Sequence, residues 1–507
     1  MCAPFDLQSF GGYLVSLNRV IRGSFWLYVS GITSNFLGYV YWLLASKFVP
    51  ASTVGDAAAI IGVVSLITGI FGFGLSSGAT RMFGRSLGHG DKDGLSRYFT
   101  SSIAFNIAVN TAVAFMIFFL GSLFGLSQLE IPYVTVLIVL GAFSPIPSAF
   151  YNSTLRTSAI ALSSILSTVL RLVVGITLLY LGAGFVGVMV AYTLTGVVQD
   201  AVLLVLLKGQ IPLSISTVRS NVSISTLKET LGAGIPNWIP SLVSTAGTWL
   251  GVIGVYAVTG SAQAGTYYIA FMISQIIYAL PLSLLGLMFP VLSGMEDGRK
   301  RATSRSIRLT YAVIAPLSAM VIAYPHVLLS MLGTSYLASS TALQLLLIGC
   351  FVAPISEGFN SLMYAYGKYR YVTMLGLATN VPQIALYTVL VALWGANGAA
   401  ISYISGMFIV LVAVLFMARK IGYSVSWGSS AAFAIIPASV AALMIFTGLN
   451  WVLGIVAILA VSAFAYARLG LITRSDVAEI SSAFLSRKQL ESLYPYTKYI
   501  LHTLYGE

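Results

Sequence analysis

Residues 161–207 have the sequence ALSSILSTVLRLVVGITLLYLGAGFVGVMVAYTLTGVVQDAVLLVLL. This stretch holds only two charged residues, Arg171 and Asp200, and a Gly-rich segment lies near its centre. A helix needs about 20 predominantly apolar residues to cross the hydrocarbon core of a bilayer, and each half of the stretch is long enough. The stretch therefore predicts two membrane-spanning helices, 161–182 and 184–207, joined by a tight turn.

The rest of the chain has the same apolar character. Hydrophobic residues make up 58% and charged residues 8% of the 507 residues, and the mean hydropathy is +0.92. Soluble domains carry roughly 25% charged residues, and a transmembrane β-barrel would show alternating polarity instead of continuous apolar runs. We therefore predict an all-α integral membrane protein with about fourteen transmembrane helices, at 22–48, 54–80, 98–124, 131–151, 161–182, 184–207, 229–256, 264–292, 307–332, 338–366, 371–394, 397–418, 428–447 and 450–468.

The cations indicate how the chain crosses the membrane. Of the 26 Lys and Arg residues, 24 fall at the termini or in the even-numbered loops, and the two exceptions are Lys47 and Arg171. Because cytoplasmic loops are enriched in Lys and Arg, this distribution predicts a multi-pass protein of the cell membrane with both termini in the cytoplasm. It also explains the net charge of +12 without a nucleic-acid partner, since the cations form no single basic face.

The Gly-rich turn recurs later in the chain. The segment LGAGFVGVMVAY at 181–192 is matched by LWGANGAAISY at 393–403, and Gly55 is matched by Gly265. A repeat of this kind is typical of transporters built from two related bundles. We predict a cytoplasmic N-terminus (1–21), an N-terminal six-helix bundle (22–207), a cytoplasmic linker (208–228), a C-terminal six-helix bundle (229–418), two further helices (428–468) and a cytoplasmic amphipathic tail (469–507).

Several segments resemble those of one known family. They are RGSF at 22–25, GLSSGATRMFGRSLGHGDKDG at 74–94, GAGIPNWIP at 232–240, AGTYYIA at 264–270, FPVLSG at 289–294, LGTSY at 332–336, YAYGKYRY at 364–371, Asn380 and GANGAAI at 395–401. These segments occur in an order and at spacings for which the chain resembles the polysaccharide transporter and O-antigen flippase family of the multidrug/oligosaccharidyl-lipid/polysaccharide (MOP) flippase superfamily. The resemblance spans residues 20 to 420.

The resemblance implies a two-lobed flippase with a polar cavity between its bundles. Such a protein moves a lipid-linked oligosaccharide, carried on a polyprenyl phosphate or diphosphate, to the outer leaflet by alternating access. Its product would serve the assembly of cell-surface polysaccharide or glycoprotein. The expected partners are this substrate, membrane lipids and glycan-assembly enzymes, and no cofactor, metal or catalytic residue is expected because the substrate is moved without being transformed.

Cations inside or beside the spans are the candidates for binding the phosphate. A charge at the bilayer centre costs at least ~2.5–3.5 kcal/mol, so such residues are functional candidates. Arg171 lies mid-span and could bind a phosphate through parallel hydrogen bonds, or it could pair with Asp200, which lies at a similar depth on the next helix. Arg22 and Arg81 lie at the cytoplasmic mouth, where ordinary anchoring residues also occur, and Lys47 lies at an outer helix end.

Acidic residues in the spans are the candidates for ion coupling, and they are Glu357, Asp200 and Asp56. Glu357 has no cation in the spans of the second bundle to neutralise it, so its carboxyl is expected to take up a proton. The alternative is a neutral Glu that is hydrogen-bonded to a neighbouring helix. Asp56 could instead pair with Lys47 across the short first outer connection.

Polar and aromatic residues on two helices are the candidates for the sugar. Helix one offers Asn35, Tyr39 and Trp42, and helix seven offers Asn237, Trp238 and Trp249. In the resembled family these two helices line the central cavity. Pro281, Gly286 and Pro290 in helix eight suggest a bend that could serve as a hinge or lateral gate, although membrane helices also tolerate such residues without a gating role.

Two other functions fit the sequence less well. An ion-coupled multidrug or small-molecule antiporter of the same superfamily usually holds an acidic residue inside the first-bundle helices, but helix one has none and Asp56 lies at a helix end. A membrane-embedded glycan polymerase or ligase needs a sizeable outer loop with catalytic residues, and every predicted outer loop is short. The sequence contains no Walker-type nucleotide motif, so direct use of ATP is not expected.

Overall fold

The computed structural model describes residues 17–125, 127–208, 222–286, 288, 292, 294–474 and 476. Within these residues every regular element is a helix, which confirms the predicted all-α fold. Twelve helical segments are long and apolar enough to cross a membrane. The first helix, of 29 residues, adds one span, and a kink at Gly395 divides one 52-residue segment into two. The total is then the predicted number of about fourteen.

The chain folds as two compact units, which are described separately. Unit 1 comprises Met1–Ile269 and Tyr387–Gly395. Its helices are α1 (Leu17–Ala45), α2 (Ala51–Phe71), α3 (Leu75–Gly88), α4 (Lys92–Leu120), α5 (Glu130–Leu140), α6 (Pro145–Ser153), α7 (Thr157–Tyr180), α8 (Gly184–Leu207) and α9 (Ile224–Thr259). Helix α7 packs against α1 and α8, and α9 packs against α2, α3 and α4.

Unit 2 comprises Ala270–Leu386 and Ala396–Glu507. The helix α10 (Ser261–Gly286) begins in unit 1 and ends in unit 2. The remaining helices are α11 (Arg299–Ala323), α12 (Pro325–Ser330), α13 (Ser340–Ile348), α14 (Ala353–Ala365), α15 (Tyr369–Lys420), α16 (Trp427–Thr447) and α17 (Trp451–Arg468). The part of α15 from Tyr387 to Gly395 belongs to unit 1. Helix α11 is central to unit 2, because it packs against α13, α14, α16 and α17.

Three of the predicted membrane helices are interrupted well inside their predicted bounds, and a fourth, 307–332, breaks at Tyr324 near its end. The predicted helix 54–80 divides into α2 and α3 at Phe73 and Gly74, whose φ angles of 47° and 67° lie in the left-handed region. The predicted helices 131–151 and 338–366 break after Leu140 and Ile348, at positions 208 residues apart. A helix can be interrupted at membrane depth only where the freed backbone groups are buried in protein or face a polar cavity. The breaks therefore mark places where the fold departs from plain membrane spans.

Glycines allow one particularly close helix crossing in unit 1. A Cβ atom added to Gly55 of α2 would lie 1.9 Å from the carbonyl oxygen of Ser261. One added to Gly265 of α10 would lie 1.8 Å from the carbonyl oxygen of Ala51. The two glycines that match in the sequence repeat thus lie at the same crossing, where small residues let the backbones of two helices touch.

Helices α16 and α17, which follow the predicted second bundle, pack tightly within unit 2. The rings of Tyr311 on α11 and Phe433 on α16 are stacked with centroids 6.2 Å apart, and Tyr466 on α17 lies 4.7 Å from Phe433. The buried Tyr466 hydroxyl donates to the carbonyl oxygen of Phe433 at 2.7 Å. A Cβ atom on Gly454 would lie 1.8 Å from the Tyr324 hydroxyl oxygen, so the start of α17 and the end of α11 also meet closely.

Some of the loop cations have a structural role besides orienting the chain. The Lys300 ammonium donates to the carbonyl oxygens of Ile421 and Gly422, at 2.7 and 3.0 Å, where α15 ends. Cations stabilise helix C-termini because the last carbonyl groups have no partner within the helix. These residues were predicted only as cytoplasmic anchors.

The segment after α17 begins with a capping arrangement. The backbone N–H of Thr473 donates to the Asp476 carboxylate at 3.0 Å, and the backbone N–H of Asp476 donates to the Thr473 hydroxyl at 3.3 Å. Arg305 pairs with the same carboxylate at 2.7 Å. Burial by itself would raise the pKa of the Asp476 carboxyl, but the hydrogen bonds from Thr473 and the pairing with Arg305 together hold this pKa below 3.8.

The division into domains at 207 and 229 stays a prediction. The middle of the linker, 209–221, lies outside the described residues, as do the first sixteen residues and the tail after Asp476.

Candidate functional site

The break between α2 and α3 lies beside α9 in unit 1. A Cβ atom on Gly74 would lie 2.4 Å from the carbonyl oxygen of Gly234, and one on Gly234 would lie 2.2 Å from the carbonyl oxygen of Gly74. Glycine at both positions therefore brings α9 into backbone contact with the break. The positive φ angle of Gly74 is a second reason why glycine is required there.

A polar cavity of about 750 Å³ lies at this place, a volume within the ~300–1,000 Å³ range of ligand pockets. Its amide side chains are those of Asn106, Asn110, Asn152 and Asn237, and its hydroxyl groups are those of Ser65, Thr68, Ser76, Ser77, Thr80, Ser241 and Thr245. The other lining residues are Trp238, Trp249, Gly69, Gly72, Gly74, Leu75, Gly141 and Pro145. No charged side chain occurs among the described residues that line the cavity.

The structure brings three predicted sugar-binding residues together at this cavity. Asn237, Trp238 and Trp249, all on α9, belong to its lining. The Trp238 indole N–H donates to the carbonyl oxygen of Gly69 at 2.7 Å, and its ring lies 5.6 Å from that of Phe73. This ring is therefore held in a fixed orientation beside the helix break.

Two amides on α4 complete the wall beside the break between α5 and α6. Asn106 donates from Nδ2 to the carbonyl oxygen of Ala142 at 2.7 Å, a group that the break leaves outside any helix. Asn110 donates from Nδ2 to the carbonyl oxygen of Asn106 at 2.9 Å. The Asn110 side chain is buried, and its Oδ1 atom has no hydrogen-bond partner among the described residues.

The predicted sugar-binding residues on helix one lie elsewhere. Asn35 is exposed and Tyr39 is half-buried on α1, and neither belongs to the described lining of the cavity. Trp42 is only 1% exposed, and its indole N–H donates to the Tyr192 hydroxyl at 2.9 Å. In this conformation Trp42 is a packed core residue with no free face for a sugar.

A row of aromatic rings connects the cavity wall to Arg171. The Trp249 ring stacks on Tyr268 with centroids 6.2 Å apart, and Tyr268 meets the edge of Trp42 at 5.3 Å. Trp42 is hydrogen-bonded to Tyr192, and the Tyr192 ring lies 4.7 Å from the centre of the Arg171 guanidinium group. The cation and the cavity therefore share a continuous aromatic wall.

Arg171 does not form the ion pair with Asp200 that the sequence allowed. Its guanidinium group lies against the rings of Tyr192 and Tyr41, at 4.7 and 5.5 Å, and its buried Nε atom has no hydrogen-bond partner in the described part of the chain. No carboxylate pairs with it among the described residues. Asp200 bonds instead to the Ser144 hydroxyl at the break between α5 and α6, and its Oδ2 atom is left without a described partner.

Asp56 also has partners other than the predicted Lys47. Asp56 is hydrogen-bonded to the side chains of Tyr256 and Ser261, while Lys47 is exposed and pairs with no carboxylate in the described part of the chain. The predicted pairing between Lys47 and Asp56 is therefore not formed. Asp56 bonds to Tyr256 because the hydroxyl group of this α9 residue lies within hydrogen-bonding reach of its carboxylate. The same hydroxyl group donates to the Glu130 carboxylate at 3.5 Å.

Two further predicted phosphate-binding cations lie on helices of unit 1. Arg81 is exposed on α3, and Arg22 lies in α1, with its side chain outside the described atoms. Neither residue belongs to the described lining of the cavity.

In unit 2, Glu357 lies on α14 and is hydrogen-bonded to Asn360 of the same helix. No Lys or Arg pairs with it among the described residues. Of the predicted hinge residues, Pro281 lies inside α10, which continues as far as Gly286, and Pro290 lies outside the described residues. The described breaks thus occur at other places than the predicted hinge.

Sequence reasoning missed Asn106, Asn110 and the hydroxyl-bearing residues of α2 and α3. A signal was present, because Asn106 and Asn110 are four residues apart on an otherwise apolar helix and so share one face. Paired amides on one face of a membrane helix indicate a polar surface. The segment 72–80, with three glycines, two serines and a threonine, carried a similar signal.

Solved structures share this architecture. The structure of "Lipid II flippase MurJ, inward closed conformation" aligns with a TM-score of 0.73 at 14% identity, covering 87% of this chain and 99% of that chain. An inward-facing multidrug resistance MATE family transporter of the MOP superfamily aligns with a TM-score of 0.60 at 16% identity, covering 76% and 94%. A MOP superfamily transporter from Pyrococcus furiosus, whose binding pocket is described as having reversed polarity, gives 0.54 at 16%, covering 83% and 98%.

The fold and the polar cavity define a class: a multi-pass helical membrane protein with the fold of MOP superfamily flippases and transporters. No curated protein sequence matches the chain significantly. The chain belongs to the family of polysaccharide biosynthesis proteins, whose model matches residues 20–296. The predicted family resemblance is thereby confirmed.

Proposed function

We propose that the protein is a flippase that carries a lipid-linked oligosaccharide across the cytoplasmic membrane by alternating access. The observation that supports this most strongly is the cavity of unit 1, in which amides and hydroxyls surround two indole rings. Sugar hydroxyls pair with neutral polar groups, and the apolar faces of sugar rings pack on aromatic rings. Membership of the polysaccharide biosynthesis family supports the same substrate class and a role in cell-surface polysaccharide or glycoprotein assembly.

Arg171 is our proposed site for the phosphate or diphosphate of the carrier lipid. A guanidinium group has five N–H donors, and here the buried Nε–H has no acceptor among the described residues. Two of these donors match the geometry of phosphate oxygens, and the aromatic rings of Tyr41 and Tyr192 orient the group. In this proposal Arg22 and Arg81 meet the anion at the cytoplasmic side, and Lys47 meets it near the outer side.

The test is leaflet exchange in proteoliposomes. A fluorescent polyprenyl-diphosphate oligosaccharide is followed with a membrane-impermeant quencher. The wild type is expected to exceed empty liposomes, and Arg171→Ala is expected to slow exchange by about tenfold to hundredfold. This corresponds to losing a charged hydrogen bond worth ~1.5–3 kcal/mol. The matched control is Arg301→Ala, which removes an exposed cation at the start of α11 and is expected to leave the rate unchanged.

Two outcomes would contradict the proposal. If the wild type exchanges no lipid-linked glycan but exports organic cations along an ion gradient, the protein is a multidrug antiporter. If Arg171→Ala folds normally and keeps the wild-type rate, the phosphate is bound elsewhere.

Ion coupling is the second part of the proposal, with Glu357, Asp200 and Asp56 as its candidates. Glu357 and Asp200 each have hydrogen-bond partners but no described cation. A carboxyl group in apolar surroundings binds a proton or a cation readily, because an uncompensated charge there is costly.

A gradient experiment checks the coupling. An imposed proton gradient is expected to accelerate exchange by the wild type, whereas Glu357→Gln keeps the basal rate and loses the acceleration. The isosteric amide retains the hydrogen bond to Asn360 but cannot ionise. A wild-type rate that is indifferent to both proton and sodium gradients would show that transport is not ion-coupled.

A further inference from the structure

We infer that the cavity of unit 1 selects uncharged sugar units and discriminates against acidic sugars such as uronic acids. This inference rests on the proposed function and specifies its substrate class. The lining consists of Ser, Thr, Asn, Trp, Gly, Leu and Pro in the described structure, so it offers neither a cation to a carboxylate nor a carboxylate to a cation.

The hydrogen-bond directions on the wall carry the inference. Most of the lining hydroxyl groups donate to backbone carbonyl oxygens, which have no proton to give, so the direction of each bond is certain. These hydroxyl groups belong to Ser65, Thr68, Ser76, Ser77, Thr80 and Thr245. The proton of each of these hydroxyl groups is therefore engaged in a hydrogen bond within the protein, and its oxygen atom can still accept one.

The amide and indole groups extend this pattern. Trp238 uses its N–H on Gly69, and Asn106 and Asn110 use N–H groups on backbone carbonyl oxygens. The Asn110 Oδ1 atom is a buried acceptor without a partner, so it lacks a donor from a ligand. Asn152 and Asn237 are neutral groups that can both donate and accept.

A wall whose hydroxyl donors are mostly engaged within the protein, and whose hydroxyl oxygen atoms can still accept, suits a ligand that supplies hydrogen-bond donors. Neutral sugars carry many hydroxyl groups and, when acetamidated, an amide N–H. A carboxylate brings only acceptors, so a uronic acid placed here would face oxygen atoms without a compensating donor. An organic cation brings donors but would find no carboxylate to neutralise it, which is why a glycan is the favoured ligand.

The experiment compares two fluorescent polyprenyl-diphosphate glycans of equal length in the same proteoliposomes. One contains only hexose and N-acetylhexosamine units, and in the other a uronic acid replaces one hexose. The neutral glycan is expected to exchange about tenfold faster or more, the scale of discrimination that one unsatisfied buried polar group produces. Equal or faster exchange of the acidic glycan overturns the inference while leaving the proposed function intact.

A substitution at Ser241 provides a second, independent readout. Ser241 lines the cavity and is exposed, and its hydroxyl group has no described hydrogen-bond partner. Ser241→Lys adds a cation and is expected to shift the preference toward the acidic glycan by about tenfold, whereas Ser241→Met adds similar length without charge and should leave the preference unchanged. An unchanged preference in Ser241→Lys contradicts the inference. If neither glycan moves with the wild type, the proposed function fails, and the inference fails with it.

Discussion

Arg171 shows how a cation can be kept inside a membrane protein without a counter-charge. Its guanidinium group is flanked by the rings of Tyr192 and Tyr41, and such contacts contribute about 0.5–2 kcal/mol each. That is comparable to the cost of the charge on insertion scales, so these aromatic contacts can retain the cation without an ion pair to Asp200. The buried Nε–H of Arg171 has no acceptor among the described residues.

The hydrogen bond between Trp42 and Tyr192 fixes the position of this aromatic wall. Tyr192→Phe keeps the ring beside Arg171 but leaves the buried Trp42 N–H without its acceptor. We expect a loss of about 1–3 kcal/mol in stability, measured as a lower thermal unfolding midpoint in detergent. Glycan exchange should change much less than in Arg171→Ala.

The control for this substitution is Tyr180→Phe. The Tyr180 side chain is 76% exposed, so removing its hydroxyl group should leave the unfolding midpoint unchanged. Equal midpoints for both variants would mean that the Trp42 hydrogen bond does not stabilise the fold.

At the scale of helices, the interruptions and close crossings determine where polar groups meet. The break between α2 and α3 exposes hydroxyl groups to the cavity, and the break between α5 and α6 leaves a carbonyl group that Asn106 satisfies. Both breaks depend on neighbouring helices that approach closely. Between membrane helices this approach is driven by van der Waals packing of small residues more than by the hydrophobic effect.

The crossing of α2 and α10 is sensitive to a single methyl group. Gly265→Ala would place a Cβ atom 1.8 Å from the Ala51 carbonyl oxygen, so the helices must separate. We expect a destabilisation of about 1–3 kcal/mol or more, measured by thermal unfolding. The corresponding substitution at Gly55 should have a similar effect.

Gly84→Ala is the matched control in the same unit. A Cβ atom there meets nothing within 4 Å, so alanine should be neutral or slightly stabilising through its higher helix propensity. If Gly265→Ala were as stable as Gly84→Ala, this would contradict the backbone contact between α2 and α10 that the structure shows.

At the scale of the whole molecule, the charge distribution predicts the orientation in the membrane. The connection between α3 and α4 would then be cytoplasmic and that between α16 and α17 would be outside. After replacement of Cys2 and Cys350, His89→Cys and Asn450→Cys place exposed thiols in these two connections. In intact cells an impermeant maleimide is expected to label Asn450→Cys only, and His89→Cys only after permeabilisation. The reverse pattern would invert the topology.

Much of the fold could be predicted because membrane insertion depends on local properties of the chain. Apolar length and cation placement are sufficient to predict about fourteen spans and their orientation. The interruptions at Leu140 and Ile348 were not predicted, since the segments that contain them, 130–153 and 334–351, are apolar enough for uninterrupted spans. The glycines and hydroxyl-bearing residues of 72–80 were a signal for the break at Gly74 that the prediction did not use. Whether a helix stays continuous depends on neighbours that can satisfy its backbone groups.

The candidate site was only partly predictable for a related reason. The sequence by itself determined that the chain is a helical membrane protein and that it resembles polysaccharide flippases. It also made Arg171 a candidate for binding the phosphate and the α9 residues Asn237, Trp238 and Trp249 candidates for binding the sugar. Only the tertiary structure decided that these α9 residues share a cavity with Asn110, that Trp42 is buried, and that Arg171 stacks on tyrosines without pairing with Asp200. The physical reason is that hydropathy is a sum over one segment, whereas contacts depend on the rotation and closeness of several helices, which a few glycines control.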